Sequence, residues 1–193
     1  MIQMAFKCIS ERMNEYLKGI YNTPEEMVIV SAISQSQGVD LSEINNKVVL
    51  SLLNIERETA MGIGAGYNRM SSDLVRESKP PWHLNLTFIV ASVFSEKQYL
   101  QSLKVLSNVL LFFQSQNVFT CSSSDQMGKS NWKMTVEPVN LNYQELTNVW
   151  SVLGGRYYPS MAGKIRMLSI DSTEISSVKR VNKETKLDLL KDE

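Results

Sequence analysis

Histidine is almost missing from this chain, and cysteine nearly so. His83 is the single histidine, so a Ser-His-Asp or Cys-His mechanism would have to run through it. It stands at the start of a strand-like run, beside Trp82 and after two prolines, and reads as an ordinary edge histidine. The two cysteines, Cys8 and Cys121, form no C-x-x-C, which argues against a disulfide framework and against a thiolate zinc site. The expectation is two unpaired thiols in a reducing cytoplasm. No charge of one sign dominates: twenty basic residues cancel twenty acidic ones. That balance weighs against nucleic acid, which selects a basic excess or stripe, and against an anionic membrane surface. No run approaches the ~18 consecutive apolar residues of a membrane span, "VLSNVLLFF" coming closest. The N-terminus has no charged region followed by an apolar one, so no signal peptide is expected. No repeat recurs at solenoid periods.

What is present is enough for a core: 193 residues, 43% of them hydrophobic, suggest one domain. Apolar residues at Met4, Cys8, Ile9, Met13, Tyr16, Leu17 and Ile20 predict a first helix, stopped by "NTPEE". "MVIVSAIS" and "KVVLSLLNIERE" read as strands. Between about residues 57 and 82 lies a long irregular stretch. "HLNLTFIVASVF" alternates and then turns wholly apolar, as a central strand does. "SEKQYLQSLKVLSNVLLFFQSQ" predicts a helix with Ser95 and Gln98 as a capping box. Its buried face is expected at Tyr99, Leu103, Leu106, Leu110 and Phe113. "NVFTC" and "WKMTVEPV" read as short strands around a turn-rich link. A third helix starts at Asn142, with Glu145 completing a capping box and Gly154 as its C′ residue. "MAGKIRMLSI" is a last strand. Strands and helices interleave, which predicts an α/β (α+β) domain: a mixed sheet with helices mainly on one face.

Three glycines crowd the stretch "ETAMGIGAGYNR". A dinucleotide fingerprint needs G-x-G-x-x-G between a strand and a helix. Gly62 and Gly64 match, but the third position is Tyr67, and no periodic helix follows. The "GKS" at Gly128–Ser130 lacks the glycine of a P-loop, because Ser123 stands there, and a strand rather than a helix comes after it. The glycines read as a flexible loop and a hairpin turn, and no cofactor is expected. Glu56 and Glu58 lie on one strand face, where two acids could hold a cation; a solvated strand end is the plainer account, and no metal site is expected. In "LGGRYYPSMAGKIR", Arg156, Lys164 and Arg166 stand near Tyr157 and Tyr158. Such residues could stack bases, but they are also what protein interfaces favour, and the interface reading is preferred.

From about residue 172 to 193 the chain becomes rich in Ser, Thr, Lys and Glu. This polar tail still carries Ile175, Val178, Val181, Leu187, Leu189 and Leu190. It reads either as a disordered end or as an arm that orders on a partner, with Ile175, Val178 and Leu187 as candidate contacts.

Three stretches taken together carry a resemblance: "NNKVVLSLLNIERE", "PPWHLNLTFIVASVFSEKQYLQSLKVLSNVLLFFQSQNVFT" and "LNYQELTNVWSVLGGRYYPSMAGKIRMLSID". In order and spacing, over roughly residues 2 to 171, they resemble the N-terminal cap domain of tail-terminator proteins. These belong to phage-tail-like contractile injection systems of the anti-feeding-prophage class. The family's usual "RN" after the acidic strand end is absent, since Arg57 and Glu58 are followed by Thr59. The resemblance implies a cap domain over residues 1–171, no catalysis, and a homohexameric ring that closes the distal end of an inner tube and contractile sheath. Its partners would be itself and the tube and sheath subunits. The chain would be made in the bacterial cytoplasm and end up in an assembled particle. Two other readings stand beside it: a small-molecule or nucleotide-dependent enzyme using the Gly62–Gly66 loop, and a generic interaction adaptor.

Overall fold

A computed structural model of the chain describes residues 1–33, 44–58, 66–69, 74–78, 82–125, 128–170 and 175–180. They form two compact units, one of residues 1–58 and 83–168, the other of 59–82 and 169–193.

The larger unit is the mixed α/β domain that the sequence predicts, with a curled six-stranded sheet and three helices. Helix α1 spans Ile2–Tyr21 and ends at Asn22 in the left-handed conformation, φ 49°. A short strand β1 (Val28–Val30) leads to β2 (Lys47–Arg57). After the second unit's strands β3 (Gly66–Arg69) and β4 (Leu74–Ser78) comes β5 (Trp82–Val93). Helix α2 (Tyr99–Ser115), β6 (Val118–Asp125), β7 (Gly128–Val139), α3 (Tyr143–Val152) and β8 (Ser160–Ile170) complete the unit. The sheet order is β1-β2-β5-β8-β7-β6. β1 runs parallel to β2, whereas β2–β5, β6–β7 and β7–β8 are antiparallel.

The inner position of β5 explains its apolar run. Phe88 points to one face, where Phe6 of α1 and Phe113 of α2 meet it at 6.3 and 6.1 Å between ring centroids. Ile89, Ala91 and Val93 point to the other, into a core shared with Val49, Trp150 and Tyr158. Helices α1 and α2 thus cover one face and α3 the opposite one. Gly163 of β8 permits the first packing: a Cβ there would lie 2.4 Å from Phe88 Cζ. Ser92 and Ser102 exchange bonds between β5 and α2, each hydroxyl donating to the other's carbonyl, at 3.1 and 3.2 Å.

Helix α3 is built as the sequence predicts. Asn142 accepts from the Glu145 N–H, and Glu145 accepts from the Asn142 N–H, both at 2.9 Å. Gly154 has φ 106°, and the Gly155 N–H donates to the Trp150 carbonyl at 2.7 Å, a Schellman end.

Several expectations change. A 3-10 turn, Glu96–Gln98, precedes α2, and the Ser95 hydroxyl bonds the Gln98 side chain at 3.1 Å, so no capping box forms there. The buried face of α2 is Ser102, Val105, Val109, Phe112 and Phe113; of the predicted stripe, Tyr99, Leu103 and Leu110 are exposed. In α1 the buried face is rotated slightly, with Ala5, Phe6, Ser10 and Asn14 inside and Ile20 out. The turn-rich link after Cys121 is mostly strand: β6 and β7 pair as far as Asp125 opposite Gly128.

The cysteines are the sharpest correction. Cys8 of α1 and Cys121 of β6 are joined in a disulfide, with Cα atoms 6.2 Å apart, across 113 residues of sequence. The residue spacing held no sign of this, because only the folded domain lays α1 against β6.

In the second unit, β3 pairs with β4, and β4 pairs with β9 (Ile175–Arg180), in a three-stranded antiparallel sheet. The stretch between residues 57 and 82, expected to be irregular, therefore holds two strands. Part of the polar tail, expected to be disordered or to order on a partner, pairs within its own chain.

Candidate functional site

The end of α3 and the start of β8 gather the predicted interface residues. The tight Gly154–Gly155 turn reverses the chain after α3, so Arg156, Tyr157 and Tyr158 lie back over Trp150. Tyr158 is buried against the Trp150 ring at 5.8 Å. Tyr157 stays exposed and meets the same indole edge-on at 5.6 Å. The Arg156 guanidinium lies over the Tyr158 ring at 5.3 Å from its centroid. Arg156 also lines a cleft of about 300 Å³ with Ile44, Asn45, Val93, Phe94, Ser95 and Tyr158. Val152, beside this group, is 84% exposed. Trp150 Nε1 is buried with no hydrogen-bond partner among the described residues.

Two further basic residues sit apart from this group, farther along β8. Lys164 Nζ pairs with Glu56 at 2.7 Å, and Arg166 Nε pairs with Glu137 at 2.9 Å. Both cations are thus paired with acids of the same sheet, Lys164 with one on β2, across β5, and Arg166 with one on the adjacent β7, and the five basic and aromatic residues do not form one positive patch. Ile175 and Val178 lie in β9, at register positions opposite Ser78 and Arg76. Leu187 lies outside the described residues.

The acidic pair has other employment. Glu56 holds Lys164, and Glu58 Oε2 accepts from Asn85 Nδ2 at 2.8 Å. Among the described residues no three His, Cys, Asp or Glu side chains converge as metal ligands. His83 begins the paired part of β5, its carbonyl accepting the Glu58 N–H at 2.8 Å. Gly62 and Gly64 lie outside the described residues, and Gly66 opens β3. The "GKS" segment falls inside β7, a strand, where no phosphate-cradling helix begins.

Sequence reasoning missed the outer face of α2. Tyr99, Leu100, Leu103, Leu110 and Leu111 are exposed, Leu100 by 82%. The signal was there: the four-three spacing of Tyr99, Leu103, Leu106 and Leu110. A helix apolar on two sides does not reveal by periodicity which one is the core.

The chain is thus of a mixed α/β class that presents apolar and aromatic side chains on a sheet-and-helix frame. Its family is specific: the chain belongs to the Pvc16 N-terminal domain family, which it matches over residues 7–184. The resemblance carried by the three sequence stretches is borne out. No curated protein sequence matches the chain. Among solved structures, the fold is similar to that of the sheath/tube terminator of the PVC extracellular contractile injection system in its extended state. The TM-score is 0.65 at 12% identity, over 100% of this chain and 64% of that one. It is also similar to the tube-terminating cap of the anti-feeding prophage, with TM-score 0.52 and 16% identity, over 90% of this chain and 58% of that one. The chain therefore spans roughly three-fifths of the length of these proteins. Among the described residues no helix is long and apolar enough to cross a membrane.

Proposed function

We propose that this chain is a structural, non-catalytic cap that closes the end of the inner tube and contractile sheath of a phage-tail-like injection particle. The observation that carries the reading is the fold held in common, along the whole chain, with a sheath/tube terminator, together with the family match. By stopping polymerisation, the cap fixes particle length. The assembly is a six-fold ring of this chain, docked on tube and sheath subunits. A tube end repeats the same unpaired surface, and a ring engages several copies at once, so weak contacts add up by avidity. A head-to-tail interface closes into a ring when its rotation divides the circle evenly. Arg156 and Tyr157, exposed beside Val152, are the residues placed to meet a neighbouring copy, and Tyr158 supports them from beneath. Lys164 and Arg166 contribute to the sheet's own charge pairing, and Ile175, Val178 and Leu187 are further contact candidates. The particle, and the chain with it, works outside the cell that made it. Cryo-electron microscopy of purified particles tests the reading. Six-fold density for this chain at one terminus is expected; particles whose two ends both lack it overturn the cap.

A further inference from the structure

We propose that the Cys8–Cys121 disulfide is a redox-operated latch that fastens α1 across the open ends of the six-stranded sheet. β1 and β6 are the two end strands of that sheet, and α1 packs against both. The helix is tied to each by a different chemistry. At β1 the tie is a side-chain amide: Asn14 Oδ1 accepts from the N–H groups of Met27 and Val28, and Asn14 Nδ2 donates to the Val28 carbonyl. At β6 the tie is the sulfur–sulfur bond. The amide tie is indifferent to redox conditions. The sulfur tie is not, and it is the one that holds β6.

The closing step balances as thiol–disulfide exchange with a low-molecular-weight disulfide such as oxidised glutathione. Cys8 is half-buried, whereas Cys121 is 6% exposed, so the Cys8 thiolate attacks first. It forms a mixed disulfide and expels one small thiol. The Cys121 thiolate then attacks the Cys8 sulfur, closes the latch and expels the second small thiol. Two protein thiols are oxidised, one small disulfide is reduced to two thiols, and the two protons pass to them. A reducing cytoplasm favours the open dithiol and an oxidising medium the closed latch. The chain thus folds with a movable α1–β6 contact and stiffens on leaving the reducing compartment. Closing a 113-residue loop removes much freedom from the unfolded chain, enough to raise Tm by roughly 10 °C.

The test uses the full chain and is independent of any capping activity. Wild type is equilibrated in glutathione buffers from fully reduced to fully oxidised; free thiols are counted by alkylation and mass, and Tm and amide hydrogen exchange are followed. The C8S/C121S double variant is the control. Expected are no free thiols in oxidising buffer and two in reducing buffer. Reduction should lower Tm by roughly 10 °C and raise exchange at the α1 and β6 amides more than in β5, while leaving the variant unmoved. Two free thiols in oxidising buffer, an unchanged Tm on reduction, or an equal response in the double variant each overturn the latch. If the double variant does not fold, the wild-type exchange pattern decides alone: faster exchange confined to α1 and β6 sustains it, and uniform change refutes it.

Discussion

Asn14 completes the outer edge of Val28. Its side-chain oxygen accepts the Val28 N–H at 2.8 Å, and its nitrogen donates to the Val28 carbonyl at 2.8 Å, while the Met27 N–H reaches the same oxygen at 2.9 Å. A single amide thus stands in for the neighbouring strand that β1 lacks. Asn14→Ala leaves three backbone groups without these partners. An unsatisfied buried group costs about 1–3 kcal/mol, so a loss of at least ~3 kcal/mol is expected in urea denaturation. Asn14→Asp keeps the acceptor and should cost less; equal losses from the two variants would show that the donor alone matters.

Trp150 fills the face of the sheet opposite α1. It is 4% exposed and flanked by Leu146, Val149 and Leu153. Trp150→Ala should cost on the order of 3–5 kcal/mol. Trp150→Phe should cost clearly less, because the indole N–H has no bond to lose among the described residues. Chemical denaturation of both variants checks the order, and a Phe variant as damaged as the Ala variant contradicts it.

Gly163 and Phe88 are matched in shape. A methyl at residue 163 would meet the Phe88 ring at 2.4 Å, so Gly163→Ala should destabilise by about 1–3 kcal/mol. Phe88→Leu in the same chain should restore part of that loss. A double-mutant cycle reads the coupling, and strict additivity would rule out the steric account.

Arg156 is exposed and, among the described residues, bonded to no acid, so Arg156→Glu should leave folding stability within about 0.5 kcal/mol. The same variant should impair capping and broaden the particle length distribution in micrographs. Normal lengths would remove Arg156 from the interface.

Truncation after Ser172 deletes β9, the partner of β4. The amides of Leu74–Ser78 should then exchange with solvent faster, while β5 amides keep their protection. Unchanged exchange in β4 would mean that the β4–β9 pairing does not persist in solution.

How much of this the sequence disclosed depends on where each feature is encoded. β5 and α3 were legible because their signals are local: an apolar run for a strand buried on both faces, and Asn142, Glu145 and Gly154 at cap positions. Helix α2 was legible as a helix but not in its orientation, since Val105 and Val109 on one side rival Leu103 and Leu110 on the other. The Cys8–Cys121 pair and the Asn14 tie were not legible at all. Each joins a helix to a strand that only the tertiary fold brings near, and neither residue type announces its partner. At the candidate interface, Tyr157 and Tyr158 look alike in sequence; the turn at Gly154–Gly155 is what exposes one and buries the other.

The Glu58 N–H and the His83 carbonyl meet at 2.8 Å, just where residues 59–82 leave the six-stranded sheet and return to it. β2 and β5 are thus paired up to that point, in a register that runs from Lys47 opposite Val93 to Arg57 opposite Leu84. The chain therefore leaves and rejoins the larger unit at two residues that a backbone hydrogen bond already holds together, so the two ends of the connection are fixed side by side.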